Sequence, residues 1–262
     1  MSGTEVVVLR DAAVRIAGET ILGPIDLCVR AGEHWVFLGP NGSGKTTLLS
    51  LAGAWRQPSA GDVRVLGLEL GRTDVRHLRT RIGHVSHAVA DRLRPAMPVL
   101  DVVLSGKASV LETWWQDLGL DDRRRALDLL EEMGCGELAD RPLGTCSSGE
   151  RQRVLIARAS FGEHPLLLFD EPAAGLDLPA RERLLRAMTA VARLPGGPTT
   201  LLATHHLEEI PRVVTHAALL RSGRIVVSGA VEDVLADEPL ARCFGIDVAV
   251  ERRDGRWWAR AG

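Results

Sequence analysis

The 262-residue chain lacks most of the features that mark a metal-bound, disulfide-linked or membrane-spanning protein. Its four cysteines lie far apart and none forms a C-x-x-C pair, which disfavours a zinc site and a disulfide framework. No apolar run approaches the roughly 18 residues that a membrane-spanning helix needs, and the first residues lack the pattern of a signal peptide. We therefore expect a soluble protein of a reducing cytosol that does not itself span a membrane.

The chain also lacks an excess of charge of either sign, and it contains little lysine. The formal net charge is −2 and no basic arm is present, which disfavours nucleic acid as a partner. The chain has thirty arginines and only two lysines, one of which is Lys45. Hydrophobic residues make up 45% and charged residues 25%, without a low-complexity tract, so the composition predicts an ordered protein with a large core.

What the chain does contain is an alternation of short β-type runs and longer helical stretches. Continuous apolar runs such as WVFL and LLLF predict an α/β fold with a buried, largely parallel but mixed sheet. The β runs disappear between about residues 88 and 162, which predicts a helical subdomain inserted into a core of about 1–87 and 163–262. Ser-Gly and Asp-Gly pairs within ALLRSGRIVVSG and VAVERRDGRWWARA predict hairpins, the second of them C-terminal.

The segment GPNGSGKTT at 39–47 matches the pattern G-x-x-x-x-G-K-[ST], with a β run before it and a helical run after it. Glycines let backbone N–H groups face phosphate oxygens, and the compact ammonium of Lys45 suits a position where the planar fork of arginine would fit poorly. The alternative is a glycine-rich turn that binds nothing. The predicted nucleotide-binding residues are Gly39, Asn41, Gly42, Ser43, Gly44, Lys45, Thr46 and Thr47.

A second element, LLLFDEP, places two carboxylates at the end of an apolar strand. Asp170 is predicted to hold Mg²⁺ together with the hydroxyl of Thr46, and Glu171 to polarise the attacking water. An Asp-Glu-Pro sequence by itself is more often the start of a helix. Its occurrence together with the segment at 39–47 favours the catalytic interpretation.

A third element, TCSSGERQRVLIARA, resembles the signature motif of ATP-binding-cassette (ABC) ATPases, usually L-S-G-G-Q. Counting Walker A at 39–47, Walker B at 166–171, a D-loop at 174–177 and a switch histidine, the resemblance covers nearly the whole chain as one domain, 1–262. Within the family the chain looks most like the molybdate-type and photorepair-type subgroup.

The resemblance implies an ATPase that uses ATP and Mg²⁺ and pairs head to tail with a second copy or another ABC domain. It assigns a γ-phosphate contact to Ser147 and Gly149, a D-loop role to Asp177 and a γ-phosphate contact to His205. It also implies a membrane permease partner and a peripheral location on the cytoplasmic face of the inner membrane. The alternative is a soluble ABC-type module that regulates or binds another complex without a permease.

Several positions depart from the family pattern. Ile16 stands where relatives stack an aromatic ring on adenine, and the chain has no tyrosine, so apolar contact replaces stacking. His87 in IGHVSH stands where relatives carry the Q-loop glutamine. We expect its imidazole either to contact the Mg²⁺-bound water or to face solvent on the surface of the hinge. The signature reads C-S-S-G-E, so Glu150 replaces glutamine. The pair Trp114 and Trp115 is expected either in the core or as a docking patch.

Overall fold

The computed structural model describes residues 3–108 and 118–262. Its strands and helices form two compact units. One unit combines Met1–Leu78 with Thr199–Gly262, and the other is Arg79–Pro198. Trp114 and Trp115 lie outside the described residues. No helix within the described ranges is long and apolar enough to cross a membrane.

The first unit contains two sheets and a C-terminal hairpin. An antiparallel sheet has the strand order β2-β1-β4-β5. In the second sheet, β3 lies between the parallel strands β8 and β9, and β10 pairs antiparallel with β9. The elements are β1 (Glu5–Ile16), β2 (Glu19–Arg30), β3 (His34–Leu38), α1 (Lys45–Ala52), β4 (Ala60–Val65), β5 (Leu68–Glu69), α2 (Val75–Arg79), β8 (Thr199–Thr204), β9 (His216–Arg221), β10 (Arg224–Ala230), α8 (Val231–Val234), α9 (Asp237–Phe244), β11 (Val248–Arg253) and β12 (Arg256–Ala261).

The second unit is mostly helical around one parallel strand pair. Its strands β6 and β7 pair in parallel with Ser86 opposite Asp170, and helices fill most of the described chain between them. The elements are β6 (Ile82–Ser86), α3 (His87–Ala90), α4 (Val99–Leu104), α5 (Leu120–Glu132), α6 (Ser148–Phe161), β7 (Leu166–Asp170) and α7 (Leu178–Ala192).

These elements confirm the predicted fold class. All five residues of β3 are buried, as a strand with parallel neighbours and covered faces requires. Two-residue turns at Ser222-Gly223 and Asp254-Gly255 join β9 to β10 and β11 to β12, with positive φ at each turn residue, as the Ser-Gly and Asp-Gly pairs predict. The subdomain limits near residues 88 and 162 stay a prediction.

Candidate nucleotide-binding site

The glycine-rich loop follows β3 and leads directly into α1. Within the described residues, no side chain caps α1 through a hydrogen bond, and its first turn contains no acidic residue. The first N–H groups of a helix have no partner within the helix, and they carry the positive end of the helix dipole. A loop that delivers such an uncapped helix end favours an anionic ligand.

Three glycines in the loop differ in backbone conformation and in the space around them. Gly39 passes so close to β9 that a Cβ atom would lie 2.1 Å from the carbonyl oxygen of Leu220. Gly44 has φ +104, and a Cβ there would lie 2.9 Å from Leu22 Cδ1. Gly42 has φ +75 but open space around it. Packing against the unit's own strands therefore explains Gly39, in addition to the close approach of a phosphate that the sequence predicts.

Lys45 is buried although it carries a charge. Its Nζ donates to the carbonyl oxygens of Gly39 at 2.9 Å and Pro40 at 3.1 Å, so the ammonium lies across the loop. The hydroxyl of Ser43 is also buried, and in the described part of the chain it has no hydrogen-bond partner. Such a group costs free energy unless it is paired, which a phosphate oxygen would do. The loop therefore fits a nucleotide phosphate.

The remaining predicted loop residues are more accessible. Asn41, Gly42 and Thr46 are exposed, and Thr47 is half-buried. The exposed side of the loop can therefore offer the hydroxyl of Thr46 and backbone amide groups to a ligand that binds from solvent. Ile16, at the end of β1, is 44% exposed, so its side chain is available for the apolar contact predicted with the base.

The register of the strands brings the loop close to the predicted switch histidine. Leu38 is the register partner of Thr204 in the parallel pair β3 and β8. The chain leaves both strands at the same edge, so Gly39 and His205 are the first residues beyond neighbouring strand ends. The hydroxyl of Thr204 donates to the buried carboxylate of Glu209, which closes the loop that carries His205.

The second unit brings two further predicted residues together in the same way. Ser86 is the register partner of Asp170, so His87 and Glu171 follow neighbouring strand ends. Glu171 has φ 46, a left-handed conformation that costs a non-glycine residue of order 1–3 kcal/mol and occurs preferentially at functional sites. His87 begins α3, while its side chain lies outside the described part of the structure.

The magnesium ion predicted from the sequence would have few protein ligands. Among the described residues, no group of three or more His, Cys, Asp or Glu side chains could hold a metal. Mg²⁺ usually binds one or two protein ligands and completes its shell with water and substrate phosphates. The predicted ligands, the hydroxyl of Thr46 and the carboxylate of Asp170, are of the type that this mode uses.

The signature segment forms the start of α6, and Ser147 is its N-cap. Glu150 N–H donates to Ser147 Oγ at 3.3 Å, while one carboxylate oxygen of Glu150 accepts from Ser147 N at 2.7 Å and lies 2.9 Å from Ser147 Oγ. The backbone hydrogen bond from Ser147 is the main reason that the pKa of Glu150 is lowered. Gly149 is buried, and a Cβ there would lie 2.9 Å from Ala180 Cβ.

Two predicted site residues also cap helices, which was not predicted from the sequence. The S-x-x-E spacing of Ser147 and Glu150 is the signal of a capping box and could have identified the first. Asp177 is the N-cap of α7 and accepts from Ala180 N at 2.8 Å, which an Asp before a helical run with proline at its start also indicates. Neither role contradicts the assignments made from the sequence.

A buried strand, a glycine-rich loop with an inward lysine and an uncapped helix define a P-loop nucleotide-binding protein. The ABC transporter family model matches residues 22–174. The chain is 39% identical to an uncharacterized ABC transporter ATP-binding protein of Bacillus subtilis (strain 168), covering 92% of both chains. It therefore belongs to the ABC transporter family, as an ATP-binding subunit with ATPase activity.

Two further relatives extend the comparison. A phosphonates import ATP-binding protein of Hyphomonas neptunium is 37% identical over 82% of this chain and 83% of its own length. Among solved structures, a dimeric post-hydrolysis state of an ATP-binding cassette bound to ADP and Pi is 25% identical. It matches with a TM-score of 0.73 over 86% of this chain and 98% of its own.

Replacing Gly39 with alanine should lower the free energy of unfolding by about 1–3 kcal/mol, because the added Cβ overpacks against the backbone of β9. Urea denaturation without nucleotide measures this. The control is Gly42→Asn, which adds a larger side chain where space is open and φ is tolerated by asparagine. A greater loss for Gly42→Asn than for Gly39→Ala would contradict the packing argument.

Wild-type affinities for ATP and GTP should differ by less than about a hundredfold, some 2.7 kcal/mol, because Ile16 offers no stacking platform. Ile16→Tyr should gain about 1–3 kcal/mol of binding free energy for either nucleotide through base stacking. Isothermal titration measures both. Ile246→Tyr, at an isoleucine that is 54% exposed elsewhere in the unit, is the control and should change nothing. Stronger discrimination in the wild type would mean that another group reads the base.

Proposed function

We propose that the chain binds Mg-ATP at residues 39–47 and hydrolyses it to drive a membrane permease. The observation that carries the proposal is a loop that buries both the ammonium of Lys45 and the hydroxyl of Ser43 and leads into an uncapped helix. Ammonium, hydroxyl and helix end together suit the β- and γ-phosphates of a nucleotide. The remaining loop residues, Thr47 among them, add contacts to the phosphates.

The other predicted residues act in the hydrolysis of ATP. Glu171 accepts a proton as water attacks the γ-phosphate, and His205 contacts the same phosphate from the end of β8. Thr46 and Asp170 would hold the magnesium ion, which neutralises negative charge on the phosphates when bound. His87 contacts the water near that ion. The adjacent strand ends of His87 and Glu171, and of Gly39 and His205, support these roles.

We further propose that the site is completed by a second ABC domain in a head-to-tail pair. One copy of each motif is present, so the signature residues Ser147 and Gly149 would meet the nucleotide of a partner, next to its D-loop residue Asp177. The dimeric cassette found among the solved structures supports this pairing. The inserted helical subdomain of about 88–162 presents the signature in this arrangement.

The permease partner places the protein at the cytoplasmic face of the inner membrane. The relatives are transporter ATP-binding proteins, including one for phosphonate import, which favours a transport role over a soluble regulatory module. The solute does not carry over from the phosphonate relative, because solute sites in such systems lie in other chains. Co-purification of a tagged copy of this chain with a permease from detergent-solubilised membranes tests the proposal.

Glu171→Gln should convert the protein into an ATP-trapped dimer, because the amide keeps the size of the side chain but cannot accept the proton from water. Size-exclusion chromatography with ATP and Mg²⁺ measures the change. Glu137→Gln, at an exposed carboxylate of the same unit, is the matched control and should behave as wild type. Lys45→Ala in the Glu171→Gln background should restore the monomer.

A Glu171→Gln protein that stays monomeric at saturating nucleotide would reject self-pairing and require a different ABC subunit. If the same variant hydrolyses ATP at the wild-type rate, Glu171 is not the catalytic carboxylate.

A further inference from the structure

The C-terminal hairpin β11–β12 lies beyond residues 22–174, to which the family model extends. It is fastened to the rest of the first unit by one backbone and one side-chain hydrogen bond of β11, and by the face that carries Arg252. Val250 N donates to Asp237 Oδ1 at 2.7 Å, and Arg252 Nη1 to Glu232 Oε1 at 2.8 Å. Trp257 is buried on the same face with the guanidinium of Arg252 over its ring. The start of β12 is therefore held in a fixed position.

Arg256, the first residue of β12, reaches from the hairpin to the loop that follows β8. Its Nη2 donates to the carbonyl oxygen of Glu208 at 2.6 Å in a half-buried position. Glu208 lies in a 3₁₀ turn, Leu207–Glu209, three residues after His205. A further 3₁₀ hydrogen bond cannot pair the carbonyl of Glu208, because the residue three positions later is Pro211, which has no N–H.

The same loop is fastened at its other side by the end of β8. Thr204 donates its hydroxyl to the buried carboxylate of Glu209, and His206 N donates to Thr204 Oγ1 at 3.2 Å. Those contacts close residues 204–209 on themselves. Arg256 adds a contact from outside these residues, and it links the closed loop to the hairpin. His205 lies between the strand end and this second attachment.

We propose that Arg256 is a positioning residue for His205. By holding the loop of residues 204–209, the hairpin determines the rate of ATP turnover. Hydrogen bonds from a guanidinium are short and strong, and this one restrains a carbonyl only three residues from the histidine. Arg256 itself touches no nucleotide in this scheme. The inference rests on the proposed role of His205 at the γ-phosphate.

The test compares Arg256→Ala and Arg256→Lys with Arg260→Ala in the full chain. Arg260 is on the same strand, is 74% exposed and pairs with Glu251 at 3.1 Å rather than with the loop. Arg256→Ala should lower kcat about tenfold and leave the KM for ATP within about twofold, the size expected for one lost charge-assisted hydrogen bond. Arg256→Lys should recover part of the rate, and Arg260→Ala should match the wild type.

Amide hydrogen exchange supplies a readout that needs no catalysis. Residues 205–210 should exchange about tenfold faster in Arg256→Ala without nucleotide, while β3 and α1 keep their protection. Equal kcat losses in Arg256→Ala and Arg260→Ala, or unchanged exchange at 205–210 in Arg256→Ala, would overturn the proposal. Faster exchange with a raised KM and unchanged kcat would also overturn it. If the wild type fails to hydrolyse ATP, the proposed function falls, whereas the exchange result still decides whether Arg256 holds the loop.

Discussion

The phosphate-binding loop depends on keeping one positive charge out of water. Burying an ammonium is costly unless its donors are paired, and Lys45 meets this condition by donating to the carbonyl oxygens of Gly39 and Pro40. Those carbonyls must then face inward, which fixes the path of the chain after β3. Ser43 adds a further restraint, because its carbonyl accepts from Gly223 N at 3.0 Å in the turn between β9 and β10. The loop is thus shaped by the sheet before any ligand binds.

Local features of this fold could be predicted from the sequence because they depend on neighbouring residues. The apolar run before Gly39, the helical run after Lys45 and the Asp254-Gly255 turn each carry their own signal, and each element has the predicted type. The order of the motifs along the chain then indicated the family, which no single motif identifies.

Contacts between distant segments could not be predicted in this way. Nothing near Gly39 indicates that Leu220, far along the chain, passes within 2.1 Å of a potential Cβ. The Asp-Gly pair predicts a hairpin but not that Arg256 would reach Glu208, because that contact depends on how α8 and α9 carry the hairpin back to the core. The left-handed backbone of Glu171 likewise has no local signal, since glutamate rarely adopts it.

The use of lysine at one buried position and arginine at others follows from the shape of the partners. Arg158 donates from Nε to Ser105 Oγ at 2.9 Å, and burial lowers its pKa to about 10, so it stays charged at neutral pH. Arg153 donates from Nε to the carbonyl oxygen of Met133 at 2.9 Å. The broad guanidinium presents its N–H groups in fixed, planar directions, which suits acceptors between packed helices. Lys45 instead serves carbonyls of two consecutive residues in a tight loop, which requires donors pointing in different directions from one small atom. A chain that uses arginine almost everywhere therefore has a lysine where one compact ammonium pairs with two consecutive carbonyls.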